Sequence, residues 1–397
     1  MSIMNSNNNI RIYSLCVIFV CLFGLLLSSC VGVDPTIPKN YKRVILIYMS
    51  GNTSDGIGGD LQRNLNDMEK GYIPPIGGNN VLLAYSHMRG KEPCLIRYSK
   101  DVKFAVIKDT LFRYSPQSSS TDPAVLRAVL EQVKGEFQAE EYGLIMSSHG
   151  TGWLPDNYRS RIFGTYSVDP YAHLVRTFGA DLNGPGMEIT DLKNAMPYHL
   201  TFLMFDCCFM GGIEVAYELR EKADYIIGSP AEILIKGFPF DKIMRPLFES
   251  VQDVAKVCEE YYDFYNNYSN RAATISLFKT SEMEALAAIC SQIFENNRAK
   301  IRAVNRDAIQ QYYRTGRPER YFWDLGDFIE SIATGSEYNA FLSALERAIP
   351  IKYNTPEFLN LVIHTYSGAS TYIPAATPEA IEAMYKGLEW NIDSGMI

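Results

Sequence analysis

Two short segments of this chain hold side chains that can make and break covalent bonds. One is Ser147-Ser148-His149-Gly150-Thr151-Gly152, and the other is Asp206-Cys207-Cys208-Phe209-Met210-Gly211-Gly212. A thiol beside an imidazole gives a thiolate nucleophile with a general base at hand. Each candidate follows an apolar run: Gly143-Leu144-Ile145-Met146 before the histidine, and Leu200-Thr201-Phe202-Leu203-Met204-Phe205 before the cysteines. Such runs read as buried strands, and in open α/β sheets ligands bind beyond the carboxyl ends of the strands. A glycine after His149 lets the backbone approach a substrate oxygen, so the N–H groups of Gly150 and Cys208 are candidates to hold a developing oxyanion. Asp206 stands two residues before Cys208 and therefore on the same side of the strand. A carboxylate there suits a cationic substrate group, Arg or Lys, through a charge-assisted contact. The competing reading is that Cys208 is a small buried filler and His149 a loop residue bonded to backbone, and local pattern alone leaves it open.

The remaining reactive residues lack such a setting. His87, His173, His199 and His364 follow no strand-then-glycine pattern and are read as structural; Cys94, Cys258 and Cys290 sit in apolar runs and read as buried thiols. With five histidines and no Cys-x-x-Cys pair, a structural zinc site is not expected. The glycine-rich stretch Gly51 to Gly59 lacks the Gly-Lys-Ser/Thr ending of a phosphate loop. No Asp-x-Asp-x-Asp-Gly loop is present, so no motif supports calcium, and no cofactor is expected.

Positioning two strand ends side by side requires a sheet. Apolar runs at Arg43–Met49, Asn80–Tyr85, Cys94–Tyr98, Gly143–Met146, Leu200–Phe205 and Tyr225–Gly228 alternate with amphipathic stretches. Helices are expected over Leu61–Tyr72, from Asp122-Pro123 to about Gln138, from Leu192 to Met196, and from Glu214 to Arg220. This alternation predicts an α/β fold with a mostly parallel sheet covered by helices on both faces. Residues 241–350 read as mostly helical with one strand near Thr274–Leu277, and Thr371-Tyr372-Ile373 as a late strand. The expected organisation is a core over 42–240 with 241–397 packed on the same domain.

Composition bounds the partners. The chain has 397 residues, 37 Lys and Arg against 45 Asp and Glu, and a net charge of −8. That balance disfavours nucleic acid, which needs a basic footprint. The N-terminus reads as an address: Arg11, then a nearly unbroken apolar run from Leu15 to Leu27, then Ser28-Ser29-Cys30. The run is short for a membrane span, which needs about 20 residues. Leu27-Ser28-Ser29-Cys30 resembles the lipobox of bacterial lipoproteins, which implies a signal peptide over 1–29, lipidation at Cys30, a tether over 30–41, and a protein held at the cell envelope by its acyl chains.

The segment Leu144 to Trp153 resembles the histidine motif of the clostripain family of cysteine peptidases, and Phe205 to Leu219 resembles its cysteine motif, with Cys207 in place of the usual alanine. Weaker echoes extend over most of 42–397 and include Ser367 to Pro374. The resemblance implies a caspase-like three-layer α/β/α fold, a peptidase with Cys208 as nucleophile and His149 as base, and cleavage after Arg or Lys with Asp206 in the basic pocket. It also implies self-cleavage in the loop between the two motifs, where Arg159 and Arg161 are the first basic residues. Two departures stand out: Thr151-Gly152 replaces Gly-Gly, and Ala231 to Lys236 carries fewer acids than the family segment. Peptide or protein substrates, a lipid-mediated membrane contact and a monomer are the expected associations. The alternatives are a caspase-like binding lipoprotein without catalysis and a solute-binding protein; the intact His149/Cys208 pair argues against both.

Overall fold

The run Tyr41–Gly51, YKRVILIYMSG, buries all but one of its residues and forms the central strand β1. Continuous apolar character is what a strand covered on both faces requires. In this computed structural model, residues 40–155, 178–250, 253–269, 271–313, 320–374 and 379–397 are described. The main sheet also contains β2 (Asn80–Met88), β3 (Cys94–Lys100), β4 (Val106–Arg113), β5 (Ala139–Ser147), β6 (Leu200–Asp206), β7 (Ala223–Gly228), β8 (Thr274–Lys279) and β9 (Ile351–Asn354). Their order across the sheet is β9-β8-β7-β6-β5-β1-β2-β3-β4.

The five central strands, β2-β1-β5-β6-β7, run parallel, as the alternation predicts. Both flanks are antiparallel: β3 and β4 on one side, β8 and β9 on the other. Strand β4 was hidden because VIKDTLFR lies at an edge with no fully buried position. Strand β9 has only four residues, all half-buried. The late strand shrinks to Ser370–Thr371, which pairs with Trp323–Asp324 away from the main sheet.

Helices cover both faces. On one face lie α1 (Ile57–Met68), α5 (Phe240–Glu249) and α6 (Val254–Asn266), whose apolar sides meet Ile45, Ile47, Ile145 and Met204. On the other lie α2 (Pro123–Glu136), α3 (Ile189–Ala195), α4 (Ile213–Glu218) and the helices after Met283, packed on Leu46, Leu144, Leu203 and Phe205. Asp122 caps α2 by accepting from the Ala124 N–H at 2.8 Å, with Pro123 in the first turn. Residues 40–397 form one compact unit. The C-terminal part joins it through buried Glu214 of α4, whose Oε1 accepts from the Tyr372 N–H at 2.8 Å and the Thr371 hydroxyl at 2.9 Å. This large α/β sheet sandwiched by helices is the caspase-like arrangement.

Candidate active site

Register brings the two chemical segments together. In the parallel pairing of β5 with β6, Ser147 stands opposite Asp206. His149 and Cys208 each lie two residues beyond that pair, so both emerge from the carboxyl end of the sheet on adjacent strands. They line one cleft of about 290 Å³ together with Asp55, Asn64, Asp206, Gly237, Leu359 and the loop Glu232–Ile235.

Two glycines let the turns interlock. A Cβ on Gly150 would stand 2.6 Å from the Cys208 carbonyl oxygen and 3.3 Å from the Cys208 nitrogen. Gly152 has φ of +63°, and a Cβ there would meet the Phe209 carbonyl oxygen at 2.7 Å. The histidine loop therefore rests directly on the backbone of the cysteine turn. It is also tied down from behind, since the Gly179 N–H donates to the His149 carbonyl at 2.9 Å and the Ser148 hydroxyl donates to the Ser50 carbonyl at 2.7 Å.

His149 has a carboxylate partner that the sequence did not reveal. Its Nε2 lies 2.5 Å from Asp55 Oδ2. The other oxygen, Asp55 Oδ1, accepts from the Thr53 hydroxyl at 2.5 Å and the Ile57 N–H at 3.2 Å. Partial burial acts to raise the Asp55 pKa, but the bonds from His149 and Thr53 outweigh it and hold the carboxyl well below its ordinary range. An anionic carboxylate fixed in this way orients the imidazole.

The two cysteines part company. Cys207 is buried, its Sγ lies 3.1 Å from the Met146 carbonyl, and burial pushes its thiol pKa well up, so it is an inert core residue. Cys208 faces the cleft, where its Sγ accepts from the Ile233 N–H at 3.3 Å and lies 3.6 Å from the Ile233 carbonyl. The next residue, Phe209, adopts φ of +61°, uncommon outside glycine, and is held by its N–H to the Ala231 carbonyl at 2.8 Å and by stacking on Phe322 at 4.8 Å.

Asp206 forms part of the cleft lining although only 5% of its surface is exposed. Burial raises its pKa to about 7, against the opposing bonds from Ser147 and the Phe238 backbone; the Ser147 hydroxyl donates at 3.1 Å. Gly237, at φ of +63°, leaves the approach open, because a Cβ there would stand 2.9 Å from both Asp206 oxygens. Lys236 carries its ammonium over the rings of Phe264 and Tyr268, each at 5.3 Å, and does not line the cleft.

Of the sequence-derived site residues, His149, Gly150, Asp206 and Cys208 converge. Arg159, Arg161, His173 and Cys30 lie outside the described residues. His87 is buried and paired with Asp181 at 2.9 Å. Asp55, Asn64, Gly237 and Leu359 were missed; only Asp55 left a trace, as a carboxylate just past the end of β1, the neighbour of β5. Among the described residues, no group of three His, Cys, Asp or Glu side chains could hold a metal ion.

Known proteins share this arrangement. The clostripain family profile matches residues 48–383. Clostripain of Hathewaya histolytica is 28% identical over 240 residues, which is 52% of this chain and 42% of that protein, so the chain spans under half the length of this curated relative. The inactive zymogen of a C11 protease from Parabacteroides distasonis superposes with a TM-score of 0.76 at 32% identity, covering 90% of this chain and 99% of that one. A secreted C11 cysteine protease from Bacteroides thetaiotaomicron, solved with an irreversible peptide inhibitor, superposes at 0.75 with 27% identity over 89% and 98% of the two chains. The sheet, the interlocked turns and these similarities together place the chain in the clostripain family, the C11 cysteine peptidases.

Proposed function

We propose that this chain is a cysteine endopeptidase that cuts after Arg or Lys. The observation that carries the basic preference is Asp206, a buried carboxylate lining the same cleft as Cys208 and kept reachable by Gly237. The Cys208 thiolate attacks the scissile carbonyl carbon, and the resulting oxyanion is met by the N–H groups of Gly150 and Cys208. His149, oriented by Asp55, passes the thiol proton to the leaving amine. It then takes a proton from water, whose hydroxide releases the acyl group from Cys208. A cationic side chain reaching Asp206 supplies the charge partner that burial otherwise denies this carboxylate.

The test is hydrolysis of fluorogenic peptides varied at the residue before the cut. Arg or Lys should lead, Cys208→Ala and His149→Ala should be equally inactive, and Cys207→Ala should retain activity. A preference for acidic or apolar residues, or an active Cys208→Ala chain, would refute the reading.

Two further parts of the proposal concern processing and location. Self-cleavage after Arg159 or Arg161 is compatible with stable association of the fragments. The chain is fixed before that loop by buried Trp153 and Leu154, and after it by the Phe178–Met187 backbone pairing at 3.0 Å. Two bands from wild type and one from Cys208→Ala on a denaturing gel would support it; one band from an active wild type would not. Lipidation of Cys30 would hold the chain at the cell envelope. Metabolic labelling with a fatty-acid probe, lost in Cys30→Ser, tests it.

A further inference from the structure

The cleft carries an apolar rim that neither the thiol chemistry nor the acidic pocket uses. Leu359 stands at the turn of a small hairpin, where Glu357 pairs with Val362 and Phe358 with Leu361. Its φ is +55°. The first central position of a two-residue hairpin turn with positive φ is one that glycine fills without strain, and a γ-branched side chain there is unfavourable. The hairpin is nevertheless firmly held: Phe358 is fully buried, and the Ile363 N–H donates to the Pro356 carbonyl at 2.9 Å. Leu359 is thereby presented to the cleft. The same cleft is lined by Ile235, with 69% of its surface exposed. Two aliphatic side chains held at a cleft mouth at a cost in strain and hydration point to an apolar ligand group.

Topology decides which part of a substrate meets them. The strand order runs β9-β8-β7-β6-β5. His149 follows β5, and it must protonate the leaving amine, so the leaving fragment lies on the β5 side of Cys208. The loop bearing Ile235 follows β7, and the hairpin bearing Leu359 follows β9, both on the other side of β6. Strand β9 is antiparallel to β8, which is antiparallel to β7, so β9 also ends at the cleft. Leu359 and Ile235 therefore face the acyl side of the scissile bond. Successive side chains of an extended peptide point to opposite sides, so a residue whose neighbour reaches Asp206 is free to rest on this rim.

We infer that Leu359 and Ile235 form a subsite for an aliphatic or aromatic side chain at the residue immediately preceding the basic one. This rests on the peptidase reading above. The experiment scans that position (Gly, Leu, Phe, Asp) in peptides carrying whichever residue is preferred at the cut, so it stays readable if the basic preference fails. Leu and Phe should exceed Gly in kcat/KM by about tenfold or more, the scale of an apolar pocket contact. Leu359→Gly suits the left-handed backbone and so removes the side chain without adding strain; Ile235→Ser is the second variant. Each should pull the Leu-to-Gly ratio toward one. The same peptides titrated into the Cys208→Ala chain by calorimetry read the contrast without turnover, which separates loss of the subsite from absence of peptidase activity. A flat scan in wild type, a preference that appears only after the cut, or a ratio that survives both variants overturns the inference.

Discussion

The pocket carboxylate makes a pH prediction that the catalytic pair cannot imitate. Asp206 has its pKa raised to about 7 by burial in the free protein. Only its ionised form attracts a cationic side chain. With that pKa, roughly a tenth of Asp206 is ionised at pH 6 and roughly nine tenths at pH 8. The parameter kcat/KM reports groups on the free enzyme, so it senses this ionisation directly. The thiol and imidazole act alike on a substrate with Arg and on one with citrulline, its neutral counterpart. The ratio of the two kcat/KM values therefore cancels the catalytic pair and isolates Asp206. It should rise by about tenfold from pH 6 to pH 8, levelling off above. In Asp206→Asn the ratio should be small and independent of pH. A ratio that is flat or falls in wild type, or that persists in Asp206→Asn, refutes the assignment of the basic pocket to this residue.

Three other predictions follow from the geometry. Asp55→Asn keeps the shape but removes the charge facing His149, so kcat should fall by about 10- to 100-fold with little change in KM, measured at saturating substrate. Gly237→Ala places a Cβ 2.9 Å from both Asp206 oxygens at φ of +63°; cleavage after basic residues should fall at least about tenfold, with a stability cost of roughly 1–2 kcal/mol by thermal unfolding. Asp206 and Glu214 both have pKa values raised to about 7 by burial. The folded chain therefore keeps protons that the unfolded chain releases, and these groups make stability decline as pH rises from the ordinary carboxyl range through about 7. Urea midpoints between pH 5 and pH 8 should show that decline in wild type, and the Asp206→Asn/Glu214→Gln chain should lose most of it.

What could be read from the sequence follows from how locally each feature is encoded. Strands β5 and β6 are continuous apolar runs ending in reactive residues, so both the parallel centre of the sheet and the His149/Cys208 pair were visible. Strand β4 was not, because an exposed edge strand carries no buried face to pattern. Asp55 was hidden for a different reason. Its role depends on β1 lying beside β5, a neighbour relation set by tertiary structure. Leu359 lies 151 positions after Cys208 (359 − 208), in a hairpin of two-residue strands, and no local period marks such a feature. The placement of Lys236 was hidden on the same grounds: its ammonium lies over the rings of Phe264 and Tyr268 of the helix α6 region, contacts that sequence proximity to the pocket loop could not disclose.

The glycines encode more of the site than the reactive residues do. Thiols and imidazoles occur throughout the chain, yet among the described residues only one pair meets across turns that admit no side chain at their contacts. A Cβ at Gly150 would strike the Cys208 carbonyl, at Gly152 the Phe209 carbonyl, and at Gly211 the Pro230 nitrogen at 2.5 Å. Together these join the cysteine turn to two neighbours: the histidine loop through the first two, the pocket loop after β7 through the third. The strained backbone at Phe209 is fixed between them by the Ala231 carbonyl and the Phe322 ring. Cys208, His149 and the pocket loop are thus held by backbone packing, which is stiffer than any side-chain contact because the atoms involved cannot change rotamer. It follows that Thr151, which has a side chain where the family pattern has glycine, is tolerated only because it lies between the two close approaches; its hydroxyl turns back to the Leu154 carbonyl at 3.4 Å.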